Sequence, residues 1–425
     1  MPIKFTAQQL TRWSVAGILA ALATGCSGGG MTPPSGGNQS SLQSLENAAS
    51  VRQQIASGAF VQACPDVVFG HWRCLALGLK DASRAPRSEA SPNGSVSGFG
   101  PSQLQAAYNI TKDAKKNPGG LVALVEAYGD PKLASDLAVY RKQFGLPKCD
   151  VASGCLRIVN QNGRRRPLPP VNDGWLAEQS LDVDMVSANC PNCKILVVEA
   201  STNLYAAERA AARFHPLAMS NSWGGDEYKN ETRATQRIFN HPGIAITASA
   251  GDDGYGVSYP AAANTVSAIG GTSLYTAQNK RGYTESVWSG SGSGCSAYES
   301  VPSWQVPIEQ QLGGCSNRIV SDVAYIADPN TGVAVYESIA GDGEPPGWQV
   351  WGGTSVGSPA IAAIYALSGN TPGIPTSISY ANTDDLYNIT SGSNGSCSPY
   401  NYLCTGEVGY NGPTGNGTPN GLGAF

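Results

Sequence analysis

The chain has 425 residues, only 14% of them charged, with 27 Lys and Arg against 31 Asp and Glu and a formal net charge of −4. That balance excludes a nucleic-acid binder, which needs a basic field to displace counterions from phosphates. The supply of apolar and aromatic side chains excludes a disordered chain, and the 52 Gly and 28 Pro point to a loop-rich folded protein.

Lys4 and Arg12 precede an apolar stretch, 14–24, that is too short to span a bilayer and reads as the core of a signal peptide covering residues 1–25. The run Leu22-Ala23-Thr24-Gly25-Cys26 resembles a bacterial lipoprotein cleavage site with Cys26 as the lipidated residue. Ala21-Leu22-Ala23 is also an acceptable ordinary cleavage site, so an envelope lipoprotein and a secreted protein both stay open. Residues 26–63 are expected to form a flexible tether and 64–98 a short Cys-bridged segment, ahead of one large domain over 99–425.

Within that domain the pattern becomes regular. The buried-strand run Leu121-Val-Ala-Leu-Val-Glu-Ala127 is followed by a helix through Asp136 and Tyr140 and a longer helix over 175–188. A strand at 195–198, a helix at 204–214, a strand at 217–222, a helix at 232–239 and a strand at 244–248 continue the alternation. A short strand at 265–268 and a helix at 359–367, with Pro tolerated in its first turn, complete the reading. Alternating strands and helices predict an α/β fold with a mainly parallel central sheet covered on both faces.

Setting Cys26 aside, ten cysteines fall into neighbouring pairs: Cys64/Cys74, Cys149/Cys155, Cys190/Cys193, Cys295/Cys315 and Cys397/Cys404. Local pairs in an exported chain read as five short-loop disulfides. Cys190-Pro-Asn-Cys193 alone also reads as a redox or zinc motif, but zinc wants four ligands and only His71, His215 and His241 exist to help.

Three segments carry chemistry. Gly353-Thr354-Ser355-Val356-Gly357-Ser358-Pro359 places Ser355 between a glycine turn and a helix start, where backbone N–H groups face a developing oxyanion; the plain alternative is a helix cap. A nucleophilic serine needs a base, and none of the three histidines sits in a subtilase histidine motif. Glu178-Gln-Ser-Leu-Asp182 offers two acids at i and i+4 beside Leu181 and Met185. Held against an apolar face, such a pair shares a proton; in water, with Asp184, it is a solvated acidic stripe. Ala248-Ser249-Ala250-Gly251-Asp252-Asp253-Gly254 ends a strand, where sites form in parallel sheets. A buried, protonated Asp252 there could donate to an oxyanion; otherwise the segment is an Asp-Gly turn.

Taken in chain order, Glu178/Asp182, then Asp252, then Ser355/Pro359, the segments resemble the sedolisin family, serine-carboxyl peptidases with a subtilisin-like fold. Gly100-Pro-Ser-Gln-Leu-Gln-Ala-Ala-Tyr108, Ser220-Asn-Ser-Trp-Gly-Gly225, Ile269-Gly-Gly-Thr-Ser-Leu274, Trp288-Ser289 and Ala327-Asp-Pro-Asn-Thr-Gly332 extend the likeness over residues 98 to 425. The resemblance implies a subtilisin-like three-layer architecture and a peptidase domain at 99–425. It implies Ser355 as nucleophile, Glu178 as base and acid, Asp182 as its orienting partner, and Asp252 as oxyanion donor. It also implies Ser220, Ser222, Trp223 and Gly224 as the edge that pairs with a bound peptide. The implied activity is endopeptidase cleavage at acidic pH by a monomer whose partners are polypeptides, with a membrane touched only through the lipid. The rival is a catalytically silent surface-binding lipoprotein that kept the fold.

Two departures stand out. The stretch from Cys26 to Gly98 is too short for the long prosegment usual in the family, and Asp253 stands where the family often has Ser. No cofactor is certain, and Ca²⁺ stays open, with Glu407 able to restore one charge. The family's Ca²⁺ positions fall on Asn388, Ile389, Glu407, Gly409 and Asn411, so both aspartates of that site have become amides, and affinity for Ca²⁺ depends on ligand charge.

Overall fold

The computed structural model describes residues 50–89, 93–341 and 345–425, which belong to one unit, Leu45–Phe425. The signal peptide, Cys26 and residues 26–49 of the expected tether lie outside the described residues.

Order begins earlier than the tether boundary at 63 suggested. The helix Val51–Ala56 is closed by a capping box in which Ser50 Oγ accepts from the Gln53 N–H and Gln53 Oε1 from the Ser50 N–H. Val51 and Phe60 then bury against Leu77, Leu79 and Val350. An apolar anchor every few residues is what turns this polar stretch into part of the folded unit. Strand β1 (Phe60–Gln62) follows, then β2 (Arg73–Cys74) and β3 (Leu77–Leu79), with β1 antiparallel to β3.

The strands β4 (Leu121–Ala127), β5 (Leu156–Asn160), β6 (Lys194–Ala200) and β7 (Ala218–Asn221) come next, with β8 (Trp223–Asp226) directly after β7. Further on lie β9 (Ala245–Ser249), β10 (Ser258–Tyr259), β11 (Ser267–Thr276), β12 (Tyr283–Val287), the short pair β13 (Gly294–Cys295) and β14 (Ile319–Val320), and β15 (Val323–Ile326). The central sheet runs β12-β11-β9-β7-β4-β6-β5, with β15 also on β11. Every pairing in it is parallel except β11 with β12. Near-continuous apolar burial along β4, β6 and β9 is what a two-sided parallel sheet requires.

Two smaller sheets take up the N-terminal strands. One has the order β1-β3-β17-β16, from β16 (Val333–Glu337) and β17 (Gly347–Gly352); the other has the order β10-β8-β2.

The strand expected at 265–268 runs instead to Thr276. Gly270 and Gly271 hid it, because glycine weakens a strand signal. Here they serve close approach: a side chain on Gly270 would strike the Pro413 carbonyl, and one on Gly271 would meet Ala327 and Trp288. The helix expected at 232–239 is a short α-turn, Glu231–Ala234, that widens into a π-turn over Thr235–Phe239.

The helix Asp173–Asn189 packs against β4, β16, the helix Leu133–Gln143 and the helix Gly357–Ser368. From Trp175 onward its whole circumference is buried, the condition of a core helix rather than an amphipathic surface one. An acidic stripe facing water is therefore ruled out, and Asp184 too is buried, accepting from the Tyr336 N–H at 3.3 Å.

All five neighbouring cysteine pairs are bonded: Cys64–Cys74, Cys149–Cys155, Cys190–Cys193, Cys295–Cys315 and Cys397–Cys404. Cys190 and Cys193 form a structural bridge at the end of the core helix.

Behind β11, Arg318 is fully buried and pairs with Asp322 (Nη2 to Oδ2, 2.6 Å), while Nη2 also donates to the Ala261 and Val266 carbonyls. Asp322 in turn accepts from the Ala268 N–H and the Tyr380 hydroxyl. Removing one partner strands the other charge in a dry core. Arg318→Met is therefore expected to cost about 3–5 kcal/mol in urea unfolding; a loss under about 1 kcal/mol would contradict the assignment.

Candidate active site

β17 ends in Gly352 and hands the chain to Gly353, whose φ of +86° only glycine adopts without strain. A side chain at Gly353 would also strike the Leu75 carbonyl oxygen, Asp252 Oδ2 and the Ala76 Cα. The turn delivers Ser355, fully buried, just ahead of the helix Gly357–Ser368. Its hydroxyl donates to the Ser222 carbonyl at 3.1 Å, and its N–H donates to the Leu75 carbonyl at 3.0 Å.

Glu178 and Asp182 project from the core helix one turn apart, both wholly buried. Glu178 lies beside Ser355, Asp182 and Asp252; burial first, then the charge of Asp182, push its carboxyl well above the usual range, against the hydrogen bond of Ser355. Asp182 Oδ1 accepts from the Ser222 hydroxyl at 2.8 Å. Burial raises Asp182 to about 7, against the pull of hydrogen bonds from Glu126, Ser222 and Glu178.

Glu126 was not singled out in the sequence. It stands in β4 at the register position of Glu199 on β6, and it reaches Asp182 from the sheet side. Burial, then Asp182 and Glu178, hold its proton tightly. Both oxygens of Glu126 and Glu178 and Oδ2 of Asp182 are buried without a hydrogen-bond donor of full geometry. Acceptor-only anions cannot persist that way. Protonation turns an acid into a donor, so this row of carboxyls must hold protons among its members. The available signal was one glutamate in an otherwise apolar strand run.

Asp252 follows β9. Its Oδ1 accepts from both the N–H and the hydroxyl of Thr354, each at 2.8 Å. Burial raises it to about 7, opposed by the Thr354 bonds and aided by Asp253. Its other oxygen converges with the Leu75 carbonyl over Gly353. The Ser355 N–H and Asp252 thus flank one carbonyl oxygen, the arrangement of an oxyanion hole.

The edge expected to receive a peptide is partly as placed. β8 pairs antiparallel with β2, Arg73 opposite Gly224 and Cys74 opposite Trp223, and the Ser222 carbonyl accepts from the Leu75 N–H at 3.1 Å. Trp223 is fixed by its indole N–H on the Val125 carbonyl. Ser220 does not reach that edge: it sits in β7 with its hydroxyl on Ser358, at 2.9 Å. The histidines take no part in this group; His71 lines the cleft near Tyr228, and His241 bonds the Ile238 carbonyl.

The residues at the family's calcium positions do not fit a cation. Asn388 donates to the Gly409 carbonyl at 2.7 Å, and Asn411 to the Ile389 carbonyl at 3.1 Å. The amide oxygens are taken by the Gly409 N–H and by Thr414. Carbonyls that would turn to a hard cation are satisfied by amide donors, and among the described residues no cluster of three or more His, Cys, Asp or Glu is placed to hold a metal.

No family model matches the chain. It is 30% identical over 342 residues to kumamolisin of Bacillus sp. (strain MN-32), covering 72% of this chain and 59% of that protein. It is 31% identical over 228 residues to sedolisin of Pseudomonas sp. (strain 101), covering 45% of this chain and 36% of that one. The chain thus spans between about a third and three fifths of the length of these two relatives. Among solved structures, Pseudomonas sedolisin, a serine-carboxyl proteinase complexed with two molecules of pseudo-iodotyrostatin, aligns with a TM-score of 0.62 at 23% identity. That alignment covers 76% of this chain and 95% of the other, a likeness of fold.

Two outcomes follow from the geometry. Asp182 and Asp252 at about 7 and Glu199 and Glu208 at about 8 all lie above the unfolded carboxyl range of about 4. Between those limits the folded protein binds more protons than the unfolded chain, so stability falls as pH rises. Scanning calorimetry should show Tm dropping from pH 4 to pH 8; a flat or rising Tm would refute the burial of these acids. A chelator is expected to leave Tm unmoved, and tight Ca²⁺ binding by titration calorimetry would overturn that.

Proposed function

The chain belongs to the sedolisin family, and on that premise we propose that it is a serine-type endopeptidase that hydrolyses polypeptides at acidic pH. The observation that carries the reading is Ser355 set between a buried, proton-sharing carboxyl pair and a carbonyl oxygen flanked by its own N–H and Asp252.

In this mechanism Ser355 Oγ attacks the substrate carbonyl carbon while Glu178 accepts the hydroxyl proton. Asp182 orients Glu178 and shares the proton that arrives. The oxyanion is met by the Ser355 N–H and the protonated carboxyl of Asp252. Collapse breaks the C–N bond as Glu178 returns the proton to the leaving amine. Water, deprotonated by Glu178, then releases the acyl group as a carboxylic acid and restores Ser355. Histidine is not needed, because burial gives Glu178 the basicity that an exposed carboxylate lacks.

The same reading places the protein outside the cytoplasm, where five bridges form and persist, with Cys26 as the residue that would carry a lipid. No helix among the described residues is long and apolar enough to cross a membrane. The division into signal 1–25, tether, bridged segment and peptidase domain 99–425 is part of this proposal.

The test is a digest of denatured protein from pH 3 to 8. Activity should fall as pH rises through about 7, where Asp182 and Asp252 lose their protons. Ser355→Ala should abolish it, Glu178→Gln lower kcat by about 10²–10⁴-fold, and Asp252→Asn by about 10²–10³-fold. Full activity at pH 8, unchanged in Glu178→Gln, would refute the mechanism. No difference between wild type and Ser355→Ala at any pH would favour the silent binding lipoprotein.

A further inference from the structure

The central sheet ends in an open edge. β5 pairs with β6 on one side, and among the described residues no strand lies on the other. The Ile195 N–H reaches the Cys155 carbonyl, so the odd-numbered residues of β5 bond toward β6 and the even-numbered ones face outward. The outward Leu156 N–H is taken by the Asp150 carbonyl at 3.2 Å, and the outward Asn160 N–H by the Arg164 carbonyl at 2.8 Å. Ile158, between them, turns its N–H and carbonyl to the groove beside the strand. That groove has a volume of about 220 Å³ and is lined by Val151, Leu156, Ile158 and Leu168, with Arg165 and Arg166 at its rim.

Both walls of the groove are braced. The Cys149–Cys155 bridge closes the loop that carries Val151. On the other side Asn160 holds the turn: its Oδ1 accepts from the Asn162 and Arg164 N–H groups, and its Nδ2 donates to the Pro167 carbonyl at 2.8 Å. Arg157, Arg164, Arg165 and Arg166 are thereby displayed, exposed, on a fixed frame. None of the four makes an ion pair with an acid among the described residues. Asp150 on the opposite wall is neutralised by Lys148 at 2.5 Å. Glu199, the buried acid that feels Arg166, is raised to about 8 by burial and does not cancel its charge at lower pH. In a chain of net charge −4, four arginines without acid partners at one strand edge make a local field of the opposite sign.

We propose that this edge is a docking site for an extended acidic segment of another polypeptide, which adds to the central sheet as a strand beside β5. Its backbone pairs with the N–H and carbonyl of Ile158, an apolar side chain enters the groove, and its carboxylates meet the arginines. Like charge keeps the same edge of a second copy of this chain from pairing there. An anionic membrane would also meet the arginines, but it has no main chain to offer Ile158, so the groove favours a peptide. Docking needs no catalysis and stands whether or not the peptidase reading does.

The probe is a fluorescent Glu-Val-Glu-Val-Glu-Val-Glu peptide, titrated at pH 6 against the full chain carrying Ser355→Ala, so that the peptide stays whole. The same peptide with Lys for Glu, and vesicles of phosphatidylglycerol and phosphatidylcholine, are run beside it. Saturable binding of the acidic peptide is expected, with none of the Lys peptide, and with residues 156–160 protected from hydrogen exchange in the complex. Replacing the turn's arginines together, Arg164→Ser, Arg165→Ser and Arg166→Ser, should weaken binding about tenfold, as befits a few exposed charge pairs, and leave Tm unmoved. Ile158→Pro, which removes only an outward N–H and is tolerated on an edge strand, should weaken it by about as much. Unchanged affinity in the arginine variant, or binding without protection at 156–160, overturns the site. Binding of the vesicles and not the peptide also overturns it and makes the edge a membrane contact; no binding of either overturns it as well. If Ile158→Pro fails to fold, the exchange protection decides whether a strand is added.

Discussion

The structure turns on carboxyl groups buried where water cannot reach them. Glu126, Glu178 and Asp182 sit between β4 and a helix buried on every side. An ionised carboxylate there would lose its hydration and find few donors in return. Shared protons are the solution the packing allows, and the proposed chemistry rests on them. A carboxyl that ionises reluctantly can serve as the base that histidine provides elsewhere, and one that keeps its proton can donate to an oxyanion. In the proposed mechanism catalysis and stability are tied to the same pH range, because the same burial sets both.

The open edge of β8 is the second organising feature. An unpaired strand edge offers its N–H and carbonyl groups to any extended chain, and here β2 takes them. The strands β1, β2 and β3 of the N-terminal region reach both smaller sheets around the site. The capping box at Ser50, the Cys64–Cys74 bridge and Asp253 fix the ends of a loop whose middle crosses Ser355. Elsewhere one kind of interaction replaces another: Asn388 and Asn411 bond across the loop with amide groups at the positions where the family places a cation.

Much of this was legible in one dimension. Alternating apolar runs and helical stretches marked the parallel sheet, neighbouring cysteines marked the five bridges, and the order of Glu178, Asp182, Asp252 and Ser355 marked the candidate site. These are local signals: each needs only a residue and a few neighbours. Where local rules misled, tertiary packing overrode them. Gly270 and Gly271 shortened β11 on paper, although they are glycines because Pro413 and Trp288 come so close. The Glu178 helix looked half-solvated by composition, since nothing in its own sequence says that it is covered on all sides.

The sequence by itself determined which groups are present and in what order: the serine, the acids, the paired cysteines and the amides at the calcium positions. Only the tertiary structure decided their protonation and their neighbours. It brought Glu126 from a strand to Asp182, moved Ser220 away from the edge that Ser222 to Gly224 supply, and laid Leu75 across Ser355. The reason is physical: pairing of residues far apart in the chain, and the loss of water that raises a carboxyl's hold on its proton, come from packing that no local pattern encodes.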